Sequence, residues 1–122
     1  MRWIDALTGC TDTTATATVR FSADHFAVVD GAVLEPALVE CVAQTVAAAL
    51  GQRMRAGGGS GAANNGMLAA VTNFKILSPA PLDKTLAIEV HELKRLGPML
   101  MISGTISCAG QTLATGQLSL YA

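Results

Sequence analysis

The segment Ala37–Leu50 constrains the fold more than any other part of this sequence, because it is almost wholly apolar. Its polar residues are Glu40, Gln44 and Thr45, and the others are alanine, leucine, valine and one cysteine. Alanine and leucine are strong helix formers, so the segment predicts a helix. A helix that is apolar on every side is expected to be buried on every side. The rest of the chain must therefore cover it.

Local signals set the predicted ends of this helix. Pro36 suits the first helical position, where its missing N–H would have no partner in any case. Glu35, just before it, favours the positive end of the helix dipole. The helix is expected to run to about Arg55, before the glycine-rich segment 57–66. That segment is interpreted as a connector, with a lid over a site as the alternative.

The sequence on both sides of the helix has the character of β-strands. Ahead of it, "TATATVRFS" (14–22) alternates and places Val19 and Phe21 on one face, and residues 22–31 are expected to form an irregular loop. Four strand-like stretches follow the helix, separated by turn signals: Met67–Leu77, Lys84–Leu96, Pro98–Gly110 and Gln111–Ala122. Alternation in the second and third predicts antiparallel strands with one solvated face.

A strand, one long buried helix and a meander of four strands together define the α+β class. A sheet that has to cover a helix on every side must curl around it. The chain of 122 residues is long enough for one domain and short for two. We therefore predict a single domain over residues 1–122.

The surface of this chain is poor in charge. Only 14% of the residues are charged and 51% are hydrophobic, whereas about 25% charged residues is usual. A small monomer of this composition would expose apolar area, and large exposed apolar patches mark contact sites. We therefore expect a homodimer or a higher homo-oligomer. The net charge of −1 argues against nucleic acid as a partner, because nucleic acid requires a basic face.

Cysteine usage and hydropathy predict a soluble cytoplasmic protein. Cys10, Cys41 and Cys108 have no CxxC or CxxH spacing, which fits free thiols in a reducing compartment better than disulfides or a zinc site. The N-terminal sequence lacks the apolar run of a signal peptide. Glu35 and Glu40 interrupt the longest apolar region, and a charged residue at a bilayer centre costs about 2.5–3.5 kcal/mol. No membrane span is therefore predicted.

Several motifs resemble those of one enzyme family. "HF" at 25–26, "VECVAQ" at 39–44, "LAIEV" at 86–90 and "LKRLG" at 93–97 follow one another in the order typical of the 3-hydroxyacyl-[acyl-carrier-protein] dehydratases, whose helix motif is "IEAMAQ". The chain is therefore similar to hot-dog fold proteins, in which a curved antiparallel sheet wraps a central helix. The resemblance extends to divergent members from aryl-polyene clusters.

This resemblance implies a catalytic histidine and a catalytic carboxylate contributed by different subunits of a dimer. They fall on His25 and Glu40, and the amide that accompanies the acid falls on Gln44. The N–H group aimed at the thioester oxygen falls at Glu35, beside Pro36. The resemblance further implies 3-hydroxyacyl thioesters of acyl carrier protein or CoA as substrates, in fatty-acid or polyene-type biosynthesis, without a metal or an organic cofactor.

These residue types suit the elimination of water from a 3-hydroxyacyl thioester. A histidine such as His25 titrates near neutrality and can take the C2 proton as a base. Apolar surroundings favour the protonated form of a carboxyl group, so Glu40 can protonate the departing hydroxyl. Gln44 lies one turn on, on the same helix face, and can orient that carboxyl group. An N–H at the helix start would stabilise charge on the thioester oxygen.

Departures from the family pattern keep two other functions open. The family's "HFPG" is "HFAV" here, and the "PG" usual before the helix is replaced by Leu34-Glu35. These changes favour a non-catalytic acyl-binding or assembly subunit. The other alternative is a hot-dog acyl thioesterase in which Glu40 activates water, although His25 in its "HF" context favours the dehydratase. His91 and Cys41 are interpreted as structural residues.

Overall fold

The computed structural model describes residues 4–11, 13–25, 27–56 and 67–121, with side chains for all of these except 50–56, 67–69 and 121. The predicted connector or lid at 57–66 and Phe26 of the "HF" motif lie outside the described residues. In chain order the elements are β1 (Ala6–Cys10), β2 (Thr14–Val19), β3 (Val28–Val29), β4 (Ala32–Val33), α1 (Glu35–Ala56), β5 (Met67–Ile76), β6 (Leu86–Leu96), β7 (Met99–Cys108) and β8 (Gln111–Tyr121).

Six strands form one antiparallel sheet in the order β1-β2-β6-β7-β8-β5. Hairpins join β6 to β7 and β7 to β8, while β5 pairs with β8 at the far edge. The helix α1 contacts strands across the width of the sheet, from β1 to β5. One helix on a broad antiparallel sheet confirms the predicted α+β class. Within the described residues, no helix combines the length and the hydrophobicity needed to cross a bilayer.

Alternation in the sequence predicted the two faces of the sheet correctly. On β6, Leu86, Ile88 and Val90 are buried and the residues between them are exposed. In the first segment, Val19 and Phe21 are both buried against the core, as their shared face requires. The pattern works because successive side chains of a strand point to opposite faces, and only one face meets the helix.

A short hairpin, β3–β4, precedes the helix where the sequence analysis expected an irregular loop. Its turn residues Asp30 and Gly31 have φ values of 53° and 77°, and positive φ at both central residues is what a tight two-residue turn requires. Val28 and Val33 pair across the hairpin. The Asp-Gly pair between apolar residues was the signal that could have revealed it.

The helix is buried on one side only, which corrects the expectation that every side is covered. Cys41 and Val42 face the sheet and are fully buried. The opposite side, here called the outer stripe, consists of residues spaced three and four apart: Pro36, Glu40, Ala43 and Ala47. These side chains are exposed or half-buried. A single sheet covers one side of a helix, so the mostly apolar outer stripe requires a second surface.

The edge strand β5 and the residue after it also expose apolar side chains. Val71 is 43% exposed, Ile76 42% and Leu77 56%. Within the described residues β5 pairs on one side only, with β8. An unpaired edge that carries apolar residues is a surface on which another chain can pair.

Gly104 sets the distance between the helix and the sheet. A Cβ atom at this position of β7 would lie 2.5 Å from Cγ1 and 3.2 Å from Cγ2 of Val42. Non-bonded carbon atoms prefer separations of about 3.5–4.0 Å. Val42 is fully buried in the middle of the core, so a larger residue at 104 would displace the helix.

Gly104→Ala is expected to lower the free energy of unfolding by about 1–3 kcal/mol, because the added methyl group overpacks the core. Chemical denaturation measures the change. In a Val42→Ala background the same substitution should cost less, since the space is then available. An equal cost in both backgrounds would contradict the direct contact.

Candidate active site

A cleft of about 440 Å³ lies beside the start of α1. Its walls are Glu35, Pro36, Val39 and Glu40 from the first turns of the helix, and Val71 from β5. Small-molecule sites commonly have volumes of about 300–1,000 Å³, apolar walls and a few polar groups. This cleft has that character, and it joins the outer stripe to the edge strand.

The helix begins at Glu35, one residue earlier than predicted, so Pro36 occupies the second helical position. The Ala37 N–H donates to the Leu34 carbonyl at 3.0 Å and closes a tight first turn. Pro36 loses no hydrogen bond there, because the first four N–H groups of a helix have no intrahelical partner. The exposed Glu35 carboxylate lies at the positive end of the helix dipole. That end of α1 therefore opens on the cleft.

Glu40 lies in the outer stripe and lines the cleft. Its side chain is half-buried, because the sheet packs against the other side of the helix. The single chain therefore does not supply the complete apolar enclosure that the sequence predicts for this acid. Gln44, one helical turn further on, is also half-buried.

His25 lies in a tight turn before the β3–β4 hairpin. Its N–H donates to the Ser22 carbonyl at 3.0 Å, and its carbonyl accepts from the Val28 N–H at 2.9 Å. The ring Nδ1 accepts a hydrogen bond from the Ala27 N–H at 3.0 Å. The ring makes a T-shaped contact with the buried ring of Phe21, with centroids 5.0 Å apart and planes at 83°. Backbone and aromatic contacts together hold the ring in one orientation.

Three of the predicted site residues line the cleft of the single chain, and two do not. Glu35, Pro36 and Glu40 share the cleft, whereas His25 and Gln44 are not among its lining residues. A site divided between two subunits would have this incomplete form in one chain. The pairing of His25 with Glu40 stays a prediction.

Sequence reasoning missed a polar pair beside the histidine. The Ser22 hydroxyl donates to Asp24 Oδ1 at 2.5 Å. That bond, the backbone amide of Asp24 and the nearby charge of His25 hold the pKa of the Asp24 carboxyl below its usual value. Asp24 is therefore ionised at neutral pH and places negative charge next to His25. A serine two residues before an aspartate in a turn was the available signal.

Cys41 is a core residue and not a nucleophile. Its side chain is fully buried, and the Thr45 hydroxyl donates to its carbonyl at 2.8 Å. Burial, with smaller contributions from the charges of Glu40 and Asp5, raises the pKa of the Cys41 thiol to about 12. Because a thiol reacts as the thiolate, Cys41 is inert at neutral pH. In the described part of the chain, no three His, Cys, Asp or Glu residues are grouped as a metal site would need.

Because the pKa of the Cys41 thiol is raised, we expect the folded protein to lose stability in alkali. Its pKa rises from the usual 9.0 to about 12 on folding, so between these values the unfolded chain releases a proton that the folded chain keeps. The free energy of unfolding should fall by up to about 1.4 kcal/mol per pH unit above pH 9. Urea unfolding at a series of pH values measures this slope. Cys41→Ala should flatten it, and an unchanged slope in the variant would contradict the assignment.

Comparison with known proteins finds one matching family and a set of solved structures with a similar fold. A family model described as ApeP-like, ApeP dehydratase, matches residues 1–122. No curated protein matches the sequence. Among solved structures, the dehydratase heterocomplex ApeI:P from Xenorhabdus doucetiae is similar with a TM-score of 0.88 and 22% identity, covering 98% of this chain and 82% of that one.

Thioesterases are also among the similar folds. A hypothetical thioesterase with coenzyme A from Streptococcus pneumoniae has a TM-score of 0.73 at 13% identity, covering 95% of this chain and 86% of its own. Thioesterase superfamily member 2 from Mus musculus has a TM-score of 0.72 at 16% identity, covering 95% and 80%. The fold is therefore the hot-dog fold, as predicted.

Proposed function

This chain belongs to the ApeP-like dehydratase family, and from that premise we propose that it is a lyase that removes water from 3-hydroxyacyl thioesters. The substrate would be carried on acyl carrier protein or CoA, in fatty-acid or polyene-type biosynthesis. The observation that carries the proposal is the cleft, where a carboxylate and a helix N-terminus meet apolar walls. No metal or organic cofactor takes part in the proposed reaction. Since all three cysteines are free thiols, the proposal places the protein in the cytoplasm.

The proposed site uses Glu40 of one chain and His25 of another. Glu40 and His25 share the two proton transfers that the elimination requires: His25 is the base that takes the C2 proton, and Glu40 is the acid that protonates the leaving hydroxyl. Gln44 orients the Glu40 carboxyl group. The N–H groups at the start of α1, near Glu35 and Pro36, bind the thioester oxygen and stabilise its developing charge.

A second chain is part of this proposal, because one chain leaves the site open. The outer stripe and the β5 edge border the same cleft, so a partner seated there would bury Glu40 and bring another surface to it. A second copy of this chain is the proposed partner. The heterocomplex of the X. doucetiae relative makes a related dehydratase subunit the alternative partner, and mass measurement of the purified protein distinguishes the two.

Val71→Glu should convert the oligomer to monomers, because it places a charge where β5 would meet its partner. Light scattering should show the mass of the wild-type assembly falling to that of one chain, with loss of dehydration. Leu93→Glu is the matched control, since Leu93 is 51% exposed on β6 and lies outside the cleft. An unchanged mass for the Val71 variant would contradict the proposed interface.

Glu40→Gln should lower kcat for dehydration by about 10²–10⁴-fold, the usual contribution of a positioned acid–base group. Enoyl formation from a 3-hydroxyacyl-CoA or a 3-hydroxyacyl carrier protein measures it, and the oligomer should remain intact. Glu89→Gln, on the exposed face of β6, is the matched control. Full activity of the Glu40 variant would exclude the proposed chemistry.

Acyl thioester hydrolysis is the second candidate, favoured by the similar folds of two thioesterases, one of them solved with coenzyme A. In that reaction the Glu40 carboxylate would activate a water molecule for attack on the thioester. A free-thiol assay on acyl-CoA separates the two reactions, because dehydration releases no thiol. Tight acyl-pantetheine binding without turnover would instead identify a non-catalytic subunit.

A further inference from the structure

A second cavity, of about 400 Å³, lies on the face of the sheet that points away from the helix. Ile102 on β7 is buried on the helix side, so its neighbour Ser103 points to the opposite face. The same alternation on β8 directs Gln117 outward beside the buried Leu118. We call this cavity the outer cup, and its walls are Asn73, Lys75, Ser103, Thr115, Gly116 and Gln117.

A β-bulge in β5 gives the outer cup its shape. The register of the β5–β8 pair shifts between Thr72 and Lys75, so two residues of β5 oppose one residue of β8. Asn73, within the bulge, has a φ of 55°, in the left-handed region that asparagine adopts more readily than most residues. A bulge bends its strand and re-aims the side chains beside it, and bulges are frequent next to functional sites.

The bulge places Lys75 on the outer face of the sheet. Successive side chains of a strand alternate between the two faces, and Val71 lies on the face that borders the cleft. In a regular strand Lys75, four residues later, would share that face. The additional residue reverses the alternation, so Lys75 instead pairs with Thr115 and lines the outer cup.

Gly116 makes room for the bulge. A Cβ atom at this position of β8 would lie 2.6 Å from Cδ2 and 2.8 Å from Cα of Phe74, whereas carbon atoms prefer separations of about 3.5–4.0 Å. The Cα atom belongs to the backbone and cannot rotate away, so a larger residue at 116 would displace β5. Gly116 and Asn73 therefore both serve one local geometry, and that geometry forms the outer cup.

The side chains of the outer cup supply hydrogen-bond donors and one positive charge. The donors are an ammonium group from Lys75, two hydroxyl groups and two side-chain amides, and the six wall residues include no carboxylate. A cation would be repelled by the ammonium group. An anion with several oxygen acceptors matches the set, and lysine is a common partner of phosphate groups.

The polar groups of the outer cup are accessible to a ligand. Asn73, Lys75 and Gln117 are exposed, and Ser103 and Thr115 are half-buried. Among the described residues, no hydrogen bond or ion pair occupies any of these five side chains. Pairing of β5 with a partner chain would use the backbone groups at the strand edge, so it would leave this face of the sheet open.

We propose that the outer cup binds the phosphate group of a small molecule, with Lys75 as the opposite charge. The surrounding hydroxyl and amide groups donate hydrogen bonds to the phosphate oxygens. The volume is in the range of small-molecule sites, about 300–1,000 Å³, so an organic group attached to the phosphate also fits. The cup shares no wall residue with the cleft, and the proposal does not depend on the dehydratase function.

NMR titration of the nitrogen-15-labelled protein with inorganic phosphate tests the proposal. The ionic strength is held constant with sodium chloride, because salt screens charge interactions. We expect saturable shifts of the backbone amide signals of Asn73, Ser103 and Gln117. Shifts centred instead on Glu35 and the first turn of α1 would place the anion at the helix start and overturn the proposal.

Glycerol 3-phosphate is the second arm of the titration. Tighter binding than that of inorganic phosphate would identify a phosphate ester as the ligand. Equal or weaker binding would identify the phosphate ion itself. The absence of saturable binding in both arms would overturn the proposal.

Lys75→Met should weaken phosphate binding by at least about tenfold, because it removes a charge-assisted hydrogen bond. Lys75→Arg keeps the charge and should keep the binding. Lys94→Met is the matched control, since Lys94 is exposed on β6 and is not a wall of the cup. Unchanged binding by Lys75→Met would overturn the proposal. Gln117→Ala provides a second loss of binding if Lys75→Met fails to fold.

Discussion

The close approach of α1 to the centre of the sheet is the contact on which the rest of the structure depends. Gly104 leaves room for Val42 against β7, so the helix lies deep against the strands. Because one side of α1 packs deep against the sheet, the residues on its opposite side face outward. Because side chains three and four apart share a helix face, Glu40 falls on the outer stripe and not in the core of its own chain.

That geometry explains why one chain presents an incomplete site. The sheet covers Cys41 and Val42, while Glu40 opens on a cleft bordered by Val71 of the edge strand β5. In the proposed assembly, a second chain would cover the apolar side chains that are exposed at the cleft and on β5. The low proportion of charged residues, 14%, is consistent with this proposal, since a surface that is covered on association needs fewer charges.

Much of the fold was predictable because its signals are periodic and local. The alternation of apolar and polar residues predicted the buried face of β6 correctly, and the alanine-rich segment predicted the helix. The burial of α1 was predicted wrongly, since composition shows that a helix avoids water without showing how many chains cover it. The orientation of the His25 ring was beyond sequence analysis, because it depends on the Ala27 N–H reaching Nδ1 within one particular turn. The β3–β4 hairpin was missed although Asp30-Gly31 signalled it.

A mixture of two inactive variants tests the shared site most directly. His25→Ala and Glu40→Gln would be co-expressed with different tags and the mixed oligomer purified. If each site takes one residue from each chain, a mixed dimer has one site with both defects and one intact site, and dehydration should return to about half of the wild-type rate per dimer. A mixed dimer as inactive as either parent would show that the two residues do not meet across subunits and would contradict the shared site.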